Sequence, residues 1–255
     1  MTDILHLAVL VLLGLSVGSF ANVVVYRLPR KLSIVRPGSF CPACGRRIRW
    51  YENIPVLGYV VLGGRCRGCR KPIPVRYPIV ELIGGALTVP VYLRFGAGMD
   101  ALFAYLFLMA LLIVTLIDWD HRIIPDEISL SFVLVGIAWS FTGGVASPLH
   151  SILGAAVGGG SLFLVGAVYK AVRHADGMGG GDVKLMAMIG AFLGVKLVLP
   201  VIVIASFFGS IYGISLLRSG KETKTAVAFG SFLAPAAAVC LFCGPAIFGW
   251  YMGRY

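Results

Sequence analysis

Two aspartates in this chain stand where a carboxylate is costly. Asp118 follows Thr115-Leu116-Ile117 without a break, at the end of an apolar run. Asp182 opens a second apolar run inside GMGGGDVKL, Gly177 to Leu185. Ionisable side chains at such places usually face a bundle interior and act there. Two carboxylates brought together at reduced dielectric cannot both ionise easily, so one keeps a proton while the other can activate a water. That is the chemistry of an aspartic protease. The glycines beside Asp182 would let an extended segment come close to the backbone. The plainer alternative is that each aspartate snorkels or pairs with a basic neighbour such as Lys184 or Arg122. The remaining acids nearby have simpler duties. Asp126 and Glu127 follow Pro125 and suit a helix start, and Asp120 can be solvated. Glu81, one turn into another apolar run, could pair with Arg76 or serve helix entry.

A second set of residues offers metal chemistry. Cys41-Pro-Ala-Cys44 and Cys66-Arg-Gly-Cys69 are two CxxC pairs separated by 21 residues. Four thiolates at this spacing can close a tetrahedral zinc site from two facing knuckles. A loop of this size has little core of its own, so the metal would supply much of its folding free energy. Four sulfur ligands leave no open position, which makes the zinc structural. Two disulfides or four inert thiols are the alternatives, and a reducing compartment disfavours the disulfides. Cys240 and Cys243 share the spacing but lie in an apolar run with no second pair, where free cysteines act as small hydrophobes.

Long apolar helices must position these groups. The chain has 255 residues, 58% hydrophobic and 13% charged, which no soluble domain of this length could bury. Apolar runs predict eight spans, near 4–26, 78–95, 100–117, 128–142, 149–169, 183–195, 198–217 and 227–251. The fold class is therefore an all-α polytopic membrane protein. The run 183–195 would be only about 20 Å long, so either the bilayer thins there or the Gly-rich entry lies at membrane depth beside a wet cavity. Gly154, Gly158, Gly159 and Gly160 suit close helix packing. No internal repeat or low-complexity linker is evident. The first run lacks a basic leader, so it reads as a permanent span and not a signal peptide.

The net charge of +11 could suggest nucleic acid, but its distribution points to membrane topology and no nucleic-acid partner. Of 22 Lys and Arg residues, 12 fall in the segment 27–77, whose only acid is Glu52. More lie at Lys170 and Arg173 and at Arg218, Lys221 and Lys224, whereas the alternate loops and the tail hold Arg94, Lys196 and Arg254. An excess of Lys and Arg near span ends marks the cytoplasmic side. Both termini are then expected outside, with the cysteine loop and both aspartates at the cytoplasmic face.

Taken together, these motifs resemble the bacterial type IV prepilin peptidases, membrane aspartic proteases of the GxGD type. GSFANVVVYRLP (Gly18 to Pro29), the paired CxxC loop, RYPIVEL, Asp118 with Ile124-Pro125-Asp126, and Gly179-x-Gly181-Asp182 carry the likeness nearly end to end. The resemblance implies that Asp118 and Asp182 are the catalytic dyad. It implies a substrate of prepilins or pseudopilins, whose short basic leader is cut at the cytoplasmic face of the bacterial inner membrane. It further implies N-methylation of the new terminal residue with S-adenosylmethionine, for which no Gly-rich nucleotide fingerprint is present. The domain plan expected is a first span (1–26), a cytoplasmic four-cysteine zinc-binding domain (27–77) and a seven-span peptidase core (78–255). Rival readings are a zinc-containing transporter, which would place charges near mid-bilayer, and an assembly scaffold, which would leave the two aspartates unused.

Overall fold

The computed structural model describes residues 2–174, 178–218 and 228–251. Gly177, Lys221, Lys224 and Arg254, used in the sequence reading, lie outside the described residues. The chain folds as two compact units, Met1–Ala101 and Leu102–Tyr255. Among the described residues it is helical with no strand beyond two isolated bridges.

The first unit is built on a helix pair. Helix α1 (Thr2–Arg27) carries a loop that contains a short 3-10 turn at Trp50–Asn53 and a five-residue helix α2 (Leu57–Val61), and the loop returns into α3 (Arg76–Phe95). The two long helices run antiparallel, and glycines set their distance. A methyl group placed on Gly14 would lie 2.6 Å from Thr88 Cγ2 and 2.7 Å from Gly84 O. One placed on Gly18 would lie 2.8 Å from the Glu81 Cα. Small residues four apart let backbones touch where lipid offers no hydrophobic drive to associate. Nearer the loop, Asn22 Nδ2 donates to Tyr77 O at 3.0 Å, which ties the end of α1 to the start of α3.

The second unit holds α4 (Met99–His121), α5 (Asp126–Ser140), α6 (Pro148–Arg173), α7 (Gly180–Leu193), α8 (Val195–Arg218) and α9 (Gly230–Tyr251). Beyond Lys184, helix α7 is apolar all round and sits inside, packed on α5, α6, α8 and α9. Its Phe192 stacks on Phe107 at 4.2 Å and meets Phe132 and Trp139 at 6.3 and 5.8 Å. Gly194, at φ +78°, ends the helix, and its N–H returns to Gly190 O.

All eight apolar runs form helices. Among the described residues five are long and apolar enough to cross a membrane: Ile4–Arg30, Arg76–Phe95, Met99–His121, Pro148–Arg173 and Val195–Leu216. Helices α5 and α7, with 15 and 14 residues, reach only about 21–22 Å, short of a ~30 Å hydrocarbon core.

Three of the four glycines singled out in α6 pack against α7. Gly154 meets the Gly190 backbone, Gly158 faces Met186 O and Gly159 faces Ala187 Cβ. Gly160 differs from expectation, because it is exposed with nothing within 4 Å of an added methyl group. The pair makes a clean test. Gly154→Ala puts a methyl into backbone that cannot give way and should lower the thermal midpoint in detergent, at a cost of about 1–3 kcal/mol. Gly160→Ala should leave the midpoint unchanged or raise it, since alanine favours a helix by about 1 kcal/mol.

Candidate active site and candidate metal centre

Asp118 and Asp182 come from different helices, and the charge of Asp118 reaches Asp182. Asp118 closes α4 and is buried, with 5% of its surface exposed. Asp182 sits in the first turn of α7 with its N–H on Gly179 O at 3.1 Å, and is half-buried. The Asp182 carboxylate lies within the electrostatic reach of Asp118 and within reach of the backbone N–H groups of Gly179 and Gly230. Gly230, the first residue of α9, also touches Asp118, since a methyl there would lie 2.8 Å from Asp118 Oδ2. One residue therefore borders both carboxylates.

The neighbours explain why small residues surround the pair. Ile124, in the turn after α4, wedges between two glycines. A methyl on Gly181 would meet its Cβ at 2.9 Å, and one on Gly230 would meet its Cδ1 at 2.7 Å. Any larger residue at either place would push the segment beside Asp182 away from Asp118. The glycines thus serve packing as well as backbone access.

Two residues escaped the sequence reading. Ser231 donates to Asp118 Oδ2 twice, from its backbone N–H at 2.8 Å and from Oγ at 3.2 Å. Gly230 is the shared neighbour just described. The available signal was weak: a Gly-Ser pair opening the last apolar run, more than a hundred positions from Asp118.

Of the two basic neighbours that could pair with either aspartate, Lys184 is engaged elsewhere and Arg122 reaches Asp118. Lys184 Nζ pairs with Asp126 at 2.7 Å, which ties the start of α5 to the start of α7. Arg122 acts electrostatically on Asp118, and its N–H caps the Asp118 carbonyl at 2.8 Å. Glu81 accepts the Val56 N–H at 2.7 Å and so closes the loop onto α3. Asp120 is exposed.

The four loop cysteines converge. Their sulfurs all lie within 4.8 Å of one another, with Cys41–Cys69 at 3.9 Å and Cys44–Cys66 at 4.0 Å. Zinc bound tetrahedrally at about 2.3 Å per sulfur needs neighbouring sulfurs about 3.8 Å apart, so the donor set fits the ion. Burial and hydrogen bonds with Cys41, Cys69 and Cys66 push the Cys44 thiol up to about 11 against the pull of the Arg46 backbone. The N–H groups of Cys69 and Gly68 instead hold Cys66 down to about 6. Four crowded sulfurs cannot all shed protons without a cation among them.

The two halves of this centre repeat bond for bond. Cys41 N–H donates to Arg46 O and Gly45 N–H to Cys41 O; at an offset of 25 residues (Cys41 to Cys66), Cys66 N–H donates to Lys71 O and Arg70 N–H to Cys66 O. Gly45 and Arg70 both have left-handed backbones, at φ +69° and +59°. This repeat was invisible to the sequence reading because backbone bonds carry it and few side chains match. Glu52 locks the halves together. Its carboxylate takes the Arg49 N–H and bonds Arg46, from the first knuckle, at 2.9 Å and Arg67, from the second, at 3.4 Å. Those donors hold it well below the usual carboxylate range, at about 2. Cys240 and Cys243 join no metal-binding group among the described residues.

Comparison with known proteins agrees with both halves of the chain. Residues 12–95 match the bacterial peptidase A24 N-terminal domain, and residues 105–214 match the type IV leader peptidase family. The chain is 42% identical over 219 residues to a prepilin leader peptidase/N-methyltransferase of Myxococcus xanthus, covering 84% of this chain and 65% of that one. It is 37% identical to a Pseudomonas aeruginosa protein of the same name, covering 95% of this chain and 92% of that one. With the Aeromonas hydrophila protein of that name it shares 34% identity over 98% of this chain and 95% of the relative. No solved structure matches the chain. Matched along nearly its whole length to proteins of one name, the chain belongs to the type IV leader peptidase family.

Proposed function

We propose that this chain is a multi-pass inner-membrane enzyme that removes the short basic leader from type IV prepilins or pseudopilins at the cytoplasmic face. It then N-methylates the newly exposed terminal residue with S-adenosylmethionine. The observation that carries the cleavage half is that Asp182 lies within the electrostatic reach of Asp118, with Gly230 beside Asp118. Relatives that match most of the chain bear a name that joins the two activities.

In this reading one aspartate of the dyad takes a proton from a water as the water attacks the scissile carbonyl. The other carboxyl gives its proton to the substrate, and the leaving amine departs protonated. The two Ser231 bonds both fall on Oδ2 of Asp118. They fix the plane of that carboxyl and leave its second oxygen to face the water. S-adenosylmethionine, when bound, would supply the methyl group for a separate displacement that passes it to the new terminal amine and releases the thioether and a proton. Zinc held by Cys41, Cys44, Cys66 and Cys69 is structural, and the segment 27–77 is the domain it organises. A transporter would place charges near mid-bilayer, and a scaffold would leave the two aspartates without work.

Purified protein in detergent should shorten a purified prepilin, seen as a mobility shift, and should transfer labelled methyl from S-adenosylmethionine to the product. Failure to cut by zinc-loaded, folded protein across several prepilins would overturn the reading.

A further inference from the structure

The loop between α1 and α3 presents apolar and basic surface that neither the dyad nor the metal centre uses. Val61 is 83% exposed, Trp50 82%, Val60 66% and Leu57 60%. These four belong to α2 and the 3-10 turn before it, which pack on each other. An extramembrane loop in water would be expected to hide such a patch. Two buried contacts fix its depth. Glu81, in the second turn of the membrane-spanning α3, accepts the N–H of Val56, the residue that caps α2. Arg27, buried at the end of α1, donates to the carbonyls of Ser33, Pro37 and Gly38 at 2.8–3.0 Å. Because α1 and α3 are antiparallel, both ties lie at the same end of the pair, where the helices leave the hydrocarbon.

The segment held by Arg27 walls an open groove of about 520 Å³, lined by Arg36, Pro37, Gly38, Ser39, Arg47 and Ile48. Two arginines face this groove with no acid in its lining. The loop's one acid, Glu52, is already engaged by Arg46 and Arg67, against 12 Lys and Arg residues in the segment. Exposed Trp and aliphatic side chains in the same loop as a groove holding two arginines and no acid, at headgroup level, are the makings of an interfacial contact with anionic lipid.

We propose that the loop lies on the bilayer surface, with Trp50, Leu57, Val60 and Val61 entering the interface and the Arg36/Arg47 groove holding the phosphate of an anionic phospholipid. The occupant is the membrane itself and not a protein partner, because positive charge and apolar surface occur together at the depth where lipid headgroups lie. This inference does not depend on the peptidase reading.

The test uses the full chain in nanodiscs of phosphatidylcholine with or without phosphatidylglycerol. Bromine-labelled lipid should quench the emission component that is lost in Trp50→Phe, and quench it more when phosphatidylglycerol is present. Native mass spectrometry should show retained phosphatidylglycerol, and Arg36→Gln with Arg47→Gln should cut that retention on the order of tenfold. Zinc content reports that each variant keeps its loop folded; if the double variant loses zinc, Leu57→Gln with Val61→Gln replaces it and should lessen Trp50 quenching. A Trp50 component that bromolipid leaves untouched in both disc types would overturn the proposal. So would equal retention of phosphatidylglycerol by wild type and a zinc-loaded arginine variant.

Discussion

Asp118→Asn and Asp182→Asn should each lower leader cleavage by about three orders of magnitude or more. Asparagine keeps the size and the hydrogen-bonding reach of the side chain but cannot titrate. If the two carboxyls work as one acid–base unit, each is needed in a different protonation state, so neither amide can substitute. The double variant should be little worse than either single one, because groups acting as a unit are not additive. The surroundings predict that folding survives. Both Ser231 bonds go to an oxygen that the amide in Asp118→Asn can still present, and Ile124 still fills the space between Gly181 and Gly230. Methyl transfer needs a nucleophilic amine and a methyl donor, not this pair, so both variants should still methylate a pilin supplied already cut. Near wild-type cleavage by Asp182→Asn, with zinc content unchanged, would remove the dyad from the mechanism. Loss of both activities in a folded, zinc-loaded variant would mean that the two reactions share these residues.

How much of this was legible beforehand depended on whether a feature was local. The apolar runs near 4–26, 78–95, 128–142 and 183–195 became Thr2–Arg27, Arg76–Phe95, Asp126–Ser140 and Gly180–Leu193, within a few residues. Their ends are written in the chain itself: a charge, a proline or a glycine where the hydrocarbon stops. Cysteine spacing was equally local, and the four sulfurs do gather. What stayed hidden depends on contacts between distant segments. Ser231 reaches Asp118 across 113 positions, and nothing in its own neighbourhood marks it. Glu81 reads as a partner for Arg76 or a helix-entry residue, and the Val56 N–H it also accepts comes from a loop whose path no periodicity shows. Glu52 read as a lone acid among bases, while its place between Arg46 and Arg67 emerges only once both knuckles are folded. Gly160 shows the converse error. It belongs to a run of packing glycines but lies one position around the helix from the face that needs them.

The metal centre gives the second large effect. Purified protein should carry about one zinc per chain, and Cys41→Ser or Cys69→Ser should strip it. Each takes one member from a different knuckle, and those two sulfurs lie 3.9 Å apart across the site. Zinc bound by such sites contributes about 10–16 kcal/mol of apparent free energy. The loop has no other core of that worth. Its short helix exposes apolar residues, and Glu52 is its one buried acid. Stripping the zinc should therefore loosen the knuckles, and trypsin should cut quickly at the arginines between Arg46 and Arg70. Overall helix content should hardly change, because α1 and α3 are held by Gly14, Gly18 and Gly84 and not by the loop. Glu52→Gln should fall between these outcomes. It keeps the four sulfurs and the zinc but weakens the tie to Arg46 and Arg67, so proteolysis should quicken without metal loss. Cys240→Ala, buried in α9, should leave zinc content unchanged. Intact protein with no metal by elemental analysis, or both serine variants retaining it in full, would eliminate the site. Zinc loss without any gain in trypsin sensitivity would show that the loop folds on the Glu52, Glu81 and Arg27 contacts alone.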